Sequence, residues 1–447
     1  MALARFSSPV GRLLGRIGAS EAFAGLFLIA IAAFALTLAN SPLAGIYHRL
    51  FHGPLPWTPI SKLDTAHLWI NDALMAVFFF VVGLEIRREI HSGALADMRR
   101  AALPLAAALG GMCVPALIYV SLNLGRPGLC GWGIPMATDI AFAIGVLALL
   151  GNRAPPALRV LLLALAVIDD VGAILVIAFF YSSGIELAGL GVLALGVCGV
   201  LALRAAGVRS AWAYVVPGLA VWAGAYASGV HPTIAGVIVG LLAPVQAWYG
   251  EGRFAPRARR QIAAVEAATD DHARLAQLDR LVVTSLEAVS PSERLQHRLH
   301  GLFAFVIMPV FALANAGVSL GSADFTEDGV RVFAGVALGL VIGKLVGVVS
   351  FGWIAARLGV ATLPAGVTWS GATVVGLVAG IGFTMSLFIA NLALPPGPLL
   401  ETAKLAILAS SCVAALLALL TGWIALAPRR DSAAERTADA VEPSVPH

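Results

Sequence analysis

The stretch Ala164-Leu-Ala-Val-Ile-Asp169-Asp170-Val-Gly-Ala-Ile-Leu-Val-Ile-Ala178 decides how the rest of the chain is to be read. Two adjacent acids sit in the middle of an apolar run from Val160 to Phe180, with no other charge nearby. A run of that length can cross a bilayer, which takes about 20 helical residues at 1.5 Å each. A carboxylate at bilayer depth costs roughly 3 kcal/mol on insertion scales, so an acid placed there is a functional residue by default. The competing reading is an acid pair capping a helix of a soluble core, and composition bears directly on it.

Only 12% of the 447 residues are charged and 59% are hydrophobic. Soluble domains average about 25% charged residues, so half the usual charge is missing. The 47 glycines lie inside Ala/Leu/Val runs, where close helix packing uses them. Cys113, Cys130, Cys198 and Cys412 show neither a metal-ligand spacing nor a disulfide framework. The net charge of +4 does not point to nucleic acid, because the arginines sort by membrane side. The fold class is therefore an all-α polytopic membrane protein.

After a basic leader, residues 1–18, apolar runs lie at about 22–39, 66–86, 101–123, 131–150, 157–181, 186–206, 211–228 and 232–249. Four more follow a polar interval, at about 298–320, 331–356, 366–394 and 401–427, making twelve. The first is longer than the apolar core of a cleaved secretory signal, about 7–15 residues, and is retained as a span. With the N-terminus cytoplasmic, the inner loops carry Arg87, Arg88, Arg99 and Arg100, then Arg153 and Arg159, then Arg204 and Arg209. The largest inner loop adds Arg253, Arg257, Arg259, Arg260, Arg274, Arg280 and Arg294, whereas the outer loops are poor in base. That sorting obeys the positive-inside rule and predicts both termini inside.

The twelve-span membrane domain so defined covers 19–427. Its outer loop, 41–65, is rich in proline and suggests a short hairpin or interfacial patch. Its inner loop, 250–297, alternates charged and apolar residues as one or two amphipathic helices would. The polar stretch 428–447 reads as a disordered cytoplasmic tail.

Two spans are interrupted. Gly133, Pro135 and Asp139 break the run around Gly131–Ala143, and Gly376, Gly380, Gly382, Thr384 and Ser386 break another. Unwound backbone at membrane depth is tolerated only within protein or beside a water-filled cavity. One such break in each half is the pointer to an ion site in an inverted-repeat transporter. Lys344, central in its span, lies among Gly335, Gly339, Gly343 and Gly347, a small-residue face that admits another helix. Too deep to snorkel, it must pair or lose its proton. Asp169 and Asp170 point about 100° apart on a helix. The economical assignment sends one to a water-filled cavity and the other to a base, and Lys344 is the deep base available. Thr138 and Asp139 offer hard oxygen ligands to a small cation, or a counter-charge to half-helix dipoles.

From about Glu21 to Trp423 the sequence resembles the NhaA-type sodium/proton antiporters of bacterial inner membranes. The markers are Trp69-Ile-Asn-Asp72-Ala-Leu-Met, Val82-Gly-Leu-Glu85-Ile-Arg87-Arg88-Glu89, Ala137-Thr138-Asp139-Ile-Ala-Phe-Ala143 and Ile168-Asp169-Asp170-Val-Gly172. Ser228-Gly-Val-His231, Ala314-Asn315-Ala-Gly317, Ile342-Gly343-Lys344 and Gly380-Ile-Gly-Phe-Thr384-Met-Ser386 follow in order. The resemblance implies inverted repeats whose two interrupted helices cross near the bilayer middle, with Asp139 and Lys344 balancing the crossed half-helices. It implies that Asp169 and Asp170 carry sodium and protons alternately, with Thr138 beside them, and that export is electrogenic and needs no cofactor. It further implies pH control through Glu85, Arg88 and Glu89 with His297 and His300. Gln296 stands where the family usually has glutamate, and the inner loop is long for the family. A homodimer through the outer loop is implied as well, with lithium left open as a second cargo.

Two other classes also bury charge in a membrane. An intramembrane aspartyl protease needs two carboxyls from different helices, and Asp139 with Asp170 is the one such pairing left; Lys344 has no role in it. A cation channel needs a ring or open filter more than a proton-labile acid beside a lysine. Peptide cleavage and flux saturation separate these from exchange.

Overall fold

The computed structural model describes residues 21–60, 63–182, 184, 186–208, 210–245, 254–268 and 270–426. The expected leader 1–18 and tail 428–447 lie outside these residues, as do Arg209 and Arg253. Among the described residues the secondary structure is helical, apart from one isolated antiparallel bridge between Pro54 and Thr65.

In chain order the helices are α1 (Glu21–Ala39), α2 (Ala44–His52), α3 (Ala66–Ser92), α4 (Met98–Asn123), α5 (Ile140–Leu149), α6 (Pro156–Phe180), α7 (Leu187–Ala205), α8 (Val215–Ser228) and α9 (Pro232–Leu242). Then come α10 (Phe254–Glu266), α11 (Asp271–Glu287), α12 (Pro291–Asn315), α13 (Glu327–Arg357), α14 (Trp369–Ala379), α15 (Phe383–Ala393) and α16 (Pro398–Ala425). Eight of these are long and apolar enough to cross a membrane. Two bent pairs raise the number to ten: the 3-10 segment Pro127–Met136 with α5, bent by 49°, and α14 with α15, bent by 45°. Helices α8 and α9, of 14 and 11 residues, occupy the remaining two of the twelve expected runs.

The differences from the sequence expectation have local causes. Helix α9 stops at Leu242, short of the expected 249, because Pro244 forces Ala243 into an extended conformation. Helix α12 starts at Pro291 rather than near 298. There Ser290 Oγ accepts from the Glu293 amide and donates to the Glu293 carboxylate, an N-cap that launches the helix before it becomes apolar. The inner loop forms two helices, α10 and α11, joined across their contact by Gln261 donating to Thr284 Oγ1. The outer loop carries α2 and the antiparallel Pro54–Thr65 bridge.

Burial follows the charge. Helix α6, which carries the acid pair, is buried along most of its length, whereas α7 exposes most of its surface. The glycine face of α13 packs against α4. A β-carbon on Gly343 would lie 2.9 Å from Pro115 Cα, and one on Gly347 would collide with the Gly110 carbonyl. That face therefore admits α4, and α4 in turn passes the lysine. A β-carbon on Gly111 would sit 3.6 Å from Lys344 Cδ. Directly before Lys344 the helix widens to a π turn over Gly339–Gly343, a form that recurs at functional sites.

Candidate functional site

Both breaks in the spans meet beside α6. The chain leaves the 3-10 segment at Met136, runs extended through Ala137, and starts α5 with Asp139 as its N-cap. Opposite it, α14 ends at Ala379 and α15 starts at Phe383. The freed backbone groups are satisfied across the gap. Asp139 N donates to Ile381 O at 2.7 Å, Ser386 Oγ to Ile134 O at 2.8 Å, and Phe383 N to Ser411 Oγ at 3.2 Å.

Asp139 is buried and serves two helix N-termini at once. Its Oδ1 accepts from the Phe142 amide of α5 at 3.0 Å. Its Oδ2 accepts from the Thr384 amide of α15 at 3.1 Å and from the Thr384 hydroxyl. A negative charge at the positive end of a helix dipole is favourable, and here one carboxylate faces two such ends.

Asp169 is held differently. Its Oδ2 receives Lys344 Nζ at 2.5 Å and the Thr138 hydroxyl at 2.8 Å. Thr138 Oγ1 is equally close, 2.8 Å, to Ala379 O, and a hydroxyl has one proton to give. Asp169 Oδ1 and Asp170 Oδ1 are buried without a hydrogen-bond partner. Asp170 also feels the charges of Glu85, Asp169, Asp139 and Lys344. Among the described residues no three His, Cys, Asp or Glu side chains form a metal cluster. What the arrangement offers a cation is two carboxylates with spare oxygens and one hydroxyl, a hard oxygen set.

The Na+/H+ antiporter 1 family profile matches residues 16–421 of this chain. The chain belongs to this antiporter family. A protein of Sorangium cellulosum named Na(+)/H(+) antiporter NhaA 2 is 52% identical, over 95% of this chain and 92% of its own length. A Myxococcus xanthus protein of the same name is 51% identical over 99% and 95%. The Na(+)/H(+) antiporter NhaA of Bordetella petrii is 48% identical over 93% and 91%. As an NhaA-type chain it is a multi-pass membrane protein of a transporter family, and sodium/proton exchange is the activity that family carries.

The residues that the NhaA resemblance marked for pH control divide into two groups. Arg88 Nη2 lies 3.1 Å from Glu89 Oε1 and 3.9 Å from Glu85 Oε1, and Arg88 Nη1 reaches Gln296 Oε1 at 3.4 Å. Glu89 also caps the following turn by accepting from the Ala94 amide. His297 and His300 are exposed on α12. Gln296 is thus the α12 residue that meets the α3 cluster.

Reading the sequence missed Thr384 as the partner of Asp139 and Ser411 as the cap of α15. The Gly382-Phe-Thr384 break did carry a signal for the first, since a hydroxyl beside a freed helix start seeks an acceptor. Ser411 lies mid-helix in α16 and carries no such mark.

Proposed function

We propose that this chain exports sodium from the cytoplasm in exchange for external protons, across a bacterial inner membrane with both termini inside, moving net charge in each cycle. The ion binds at Asp169, Asp170 and Thr138, Asp139 holds the crossed half-helices together, and Lys344 carries one of the protons. The contact of Lys344 with Asp169 carries this reading. A cation arriving at Asp169 competes with the ammonium for the same oxygen. Once displaced, Lys344 is left without its counter-charge and releases its proton as the cation binds. The proton of Asp170 is the second, so two protons return for each sodium and one charge moves. The cell's potential then acts on transport at about 2.3 kcal/mol per 100 mV. Glu85, Arg88 and Glu89, with His297 and His300, set the pH response at the inner face. Two chains pair through the outer loop, and lithium is accepted at the same oxygens.

The protease alternative needs a carboxyl of Asp139 free to act, but both its oxygens are occupied by Phe142 and Thr384. Proteoliposomes with a clamped potassium-diffusion potential test the proposal. Wild-type exchange changes with voltage, and Lys344→Gln exchange, where it persists, does not. A folded, transporting Lys344→Gln protein with unchanged voltage dependence makes Lys344 a scaffold and returns both protons to the carboxylates.

A further inference from the structure

Three imidazoles form a ladder at the end of α12 remote from the α10–α11 hairpin. His48 and His52, one turn apart on α2, stack with ring centroids 4.7 Å apart and planes at 20°. His52 stacks in turn on His67, in the first turn of α3, at 4.6 Å and 26°. Helix α2 is seated beside this ladder by buried Phe51 and by Tyr47, whose hydroxyl donates to Leu313 O at 2.6 Å.

The ladder continues into a chain of amides. His67 Nε2 is 3.1 Å from Asn315 Oδ1 on α12, and Asn391 Nδ2 on α15 donates to that same oxygen at 2.7 Å. Asn315 Nδ2 donates to Asn71 Oδ1, and Asn71 Nδ2 lies 3.1 and 3.2 Å from the two His67 nitrogens. A neutral His67 suits both neighbours, giving an N–H to Asn315 and a lone pair to Asn71. A protonated ring has no lone pair left for Asn71. The other titratable groups facing the ladder are Lys404 of α16, whose charge bears on both His52 and His67, and Glu401, 3.5 Å from Lys404 Nζ. From α12 and α15 it meets the uncharged Asn315 and Asn391. Helix α15 is the half-span whose first turn supplies Thr384 to Asp139.

We propose that this ladder is a proton-operated latch on the outer face: acid unseats α2 from α3 and slackens the amide clamp on the interrupted span. The word "outer" rests on the orientation proposed above; the latch itself does not. Protonated rings in a stack repel one another, and Lys404 adds a further positive charge. The docked His52 has its pKa lowered to about 4 by burial first, then by His48 and Lys404. Its free value is about 6.5. Docking is therefore complete above pH about 6.5 and weakens as pH falls towards 4. The decline is at most about tenfold per pH unit, because one proton is linked to the opening, and His52 is already exposed when docked.

Hydrogen exchange of the α2 amides in the full-length protein, corrected for intrinsic rates, reads the latch directly. Between pH 8 and pH 5.5 wild-type protection should fall by up to about tenfold. His52→Phe keeps a stacking ring without a titrating group, and should hold its protection at both values. His52→Gln, a second side chain that does not titrate, is the second variant, should His52→Phe disturb α2 at pH 8. Wild-type protection that is independent of pH, or a loss equal in wild type and both variants, overturns the latch. Exchange in sealed vesicles reads the coupling. At pH 5.5 on the α2 face, wild type and His52→Phe should differ at least threefold in rate, and equal rates overturn control of the span. Acid sensitivity in right-side-out vesicles that follows the lumenal side alone would leave the latch standing and overturn the orientation.

Discussion

Thr384→Val removes one hydrogen bond from Asp139 and almost nothing else, because the two side chains have nearly the same shape. Asp139 is buried and accepts three hydrogen bonds, two of them from Thr384. A hydrogen bond to a charged group contributes roughly 1.5–3 kcal/mol, more than a neutral one. The carboxylate keeps the Phe142 and Thr384 amides, so the loss is one bond of that class, about 2 kcal/mol, or about thirtyfold in the folded-to-unfolded ratio. Thr384→Ser keeps the hydroxyl and loses one buried methyl, about 0.8 kcal/mol. Unfolding of purified protein in mixed micelles, followed by helical circular dichroism, measures both. In an Asp139→Asn background the same Thr384→Val change removes only a neutral bond, about 1 kcal/mol, so the cycle should show about 1 kcal/mol of coupling. If Thr384→Val is neutral within about 0.5 kcal/mol, or the two changes add, the Thr384 hydroxyl does not hold Asp139 and the joint between α5 and α15 rests on bonds from backbone amides alone.

Three further outcomes are expected. Gly347→Val, whose β-carbon collides with the Gly110 carbonyl, should destabilise by about 3 kcal/mol, while Gly301→Ala, with open space around it, should be neutral or slightly stabilising in the same melt. On a cysteine-free background, a cysteine at Ser183 should react with an impermeant thiol reagent from outside and one at Ala273 should not; the reverse pattern refutes the proposed orientation. Acidification should raise the apparent sodium constant, approaching tenfold per pH unit where the carboxyl is largely protonated, because proton and sodium compete for the same oxygens; Asp170→Asn should abolish exchange in a folded protein, and robust exchange by that variant rules Asp170 out as the carrier.

The sequence carries the fold because membrane insertion leaves few alternatives. Runs of about 20 apolar residues and two glycine-rich breaks are local features, and the structure has helices at the first and bent helix pairs at the second. Element ends were less legible. The start of α12 was missed although Ser290 and Glu293 spell an N-cap, since hydropathy alone begins counting only where charge ends. The glycine face of α13 was readable as a packing face, but its partner was not. The spacing Gly335, Gly339, Gly343, Gly347 says that a helix approaches, and only the structure shows α4 doing so. Contacts between distant residues, such as Thr384 with Asp139 or His67 with Asn315, depend on how spans assemble, and no periodicity within one span encodes them.

Three buried acids share this site, and their hydrogen bonds divide them. Asp139 has both oxygens engaged by two helix N-termini, so releasing it would leave the starts of α5 and α15 unsatisfied together. It is fixed. Asp169 and Asp170 each retain an oxygen with no partner, and Asp169 Oδ2 is held by Lys344 and the Thr138 hydroxyl. A group that must exchange a proton for a cation needs such a spare position, because a fully bonded carboxylate would have to break its protein contacts at every turn of the cycle. Removing the ammonium therefore has a different consequence from removing the Thr384 hydroxyl. On the proposed cycle the first alters which ion Asp169 holds and leaves the crossed helices in place. The second loosens the frame that keeps Thr138 within reach of both Asp169 and Ala379. On the proposed cycle, variants of Lys344 should change coupling, and variants of Thr384 should lower stability first and exchange only as a result.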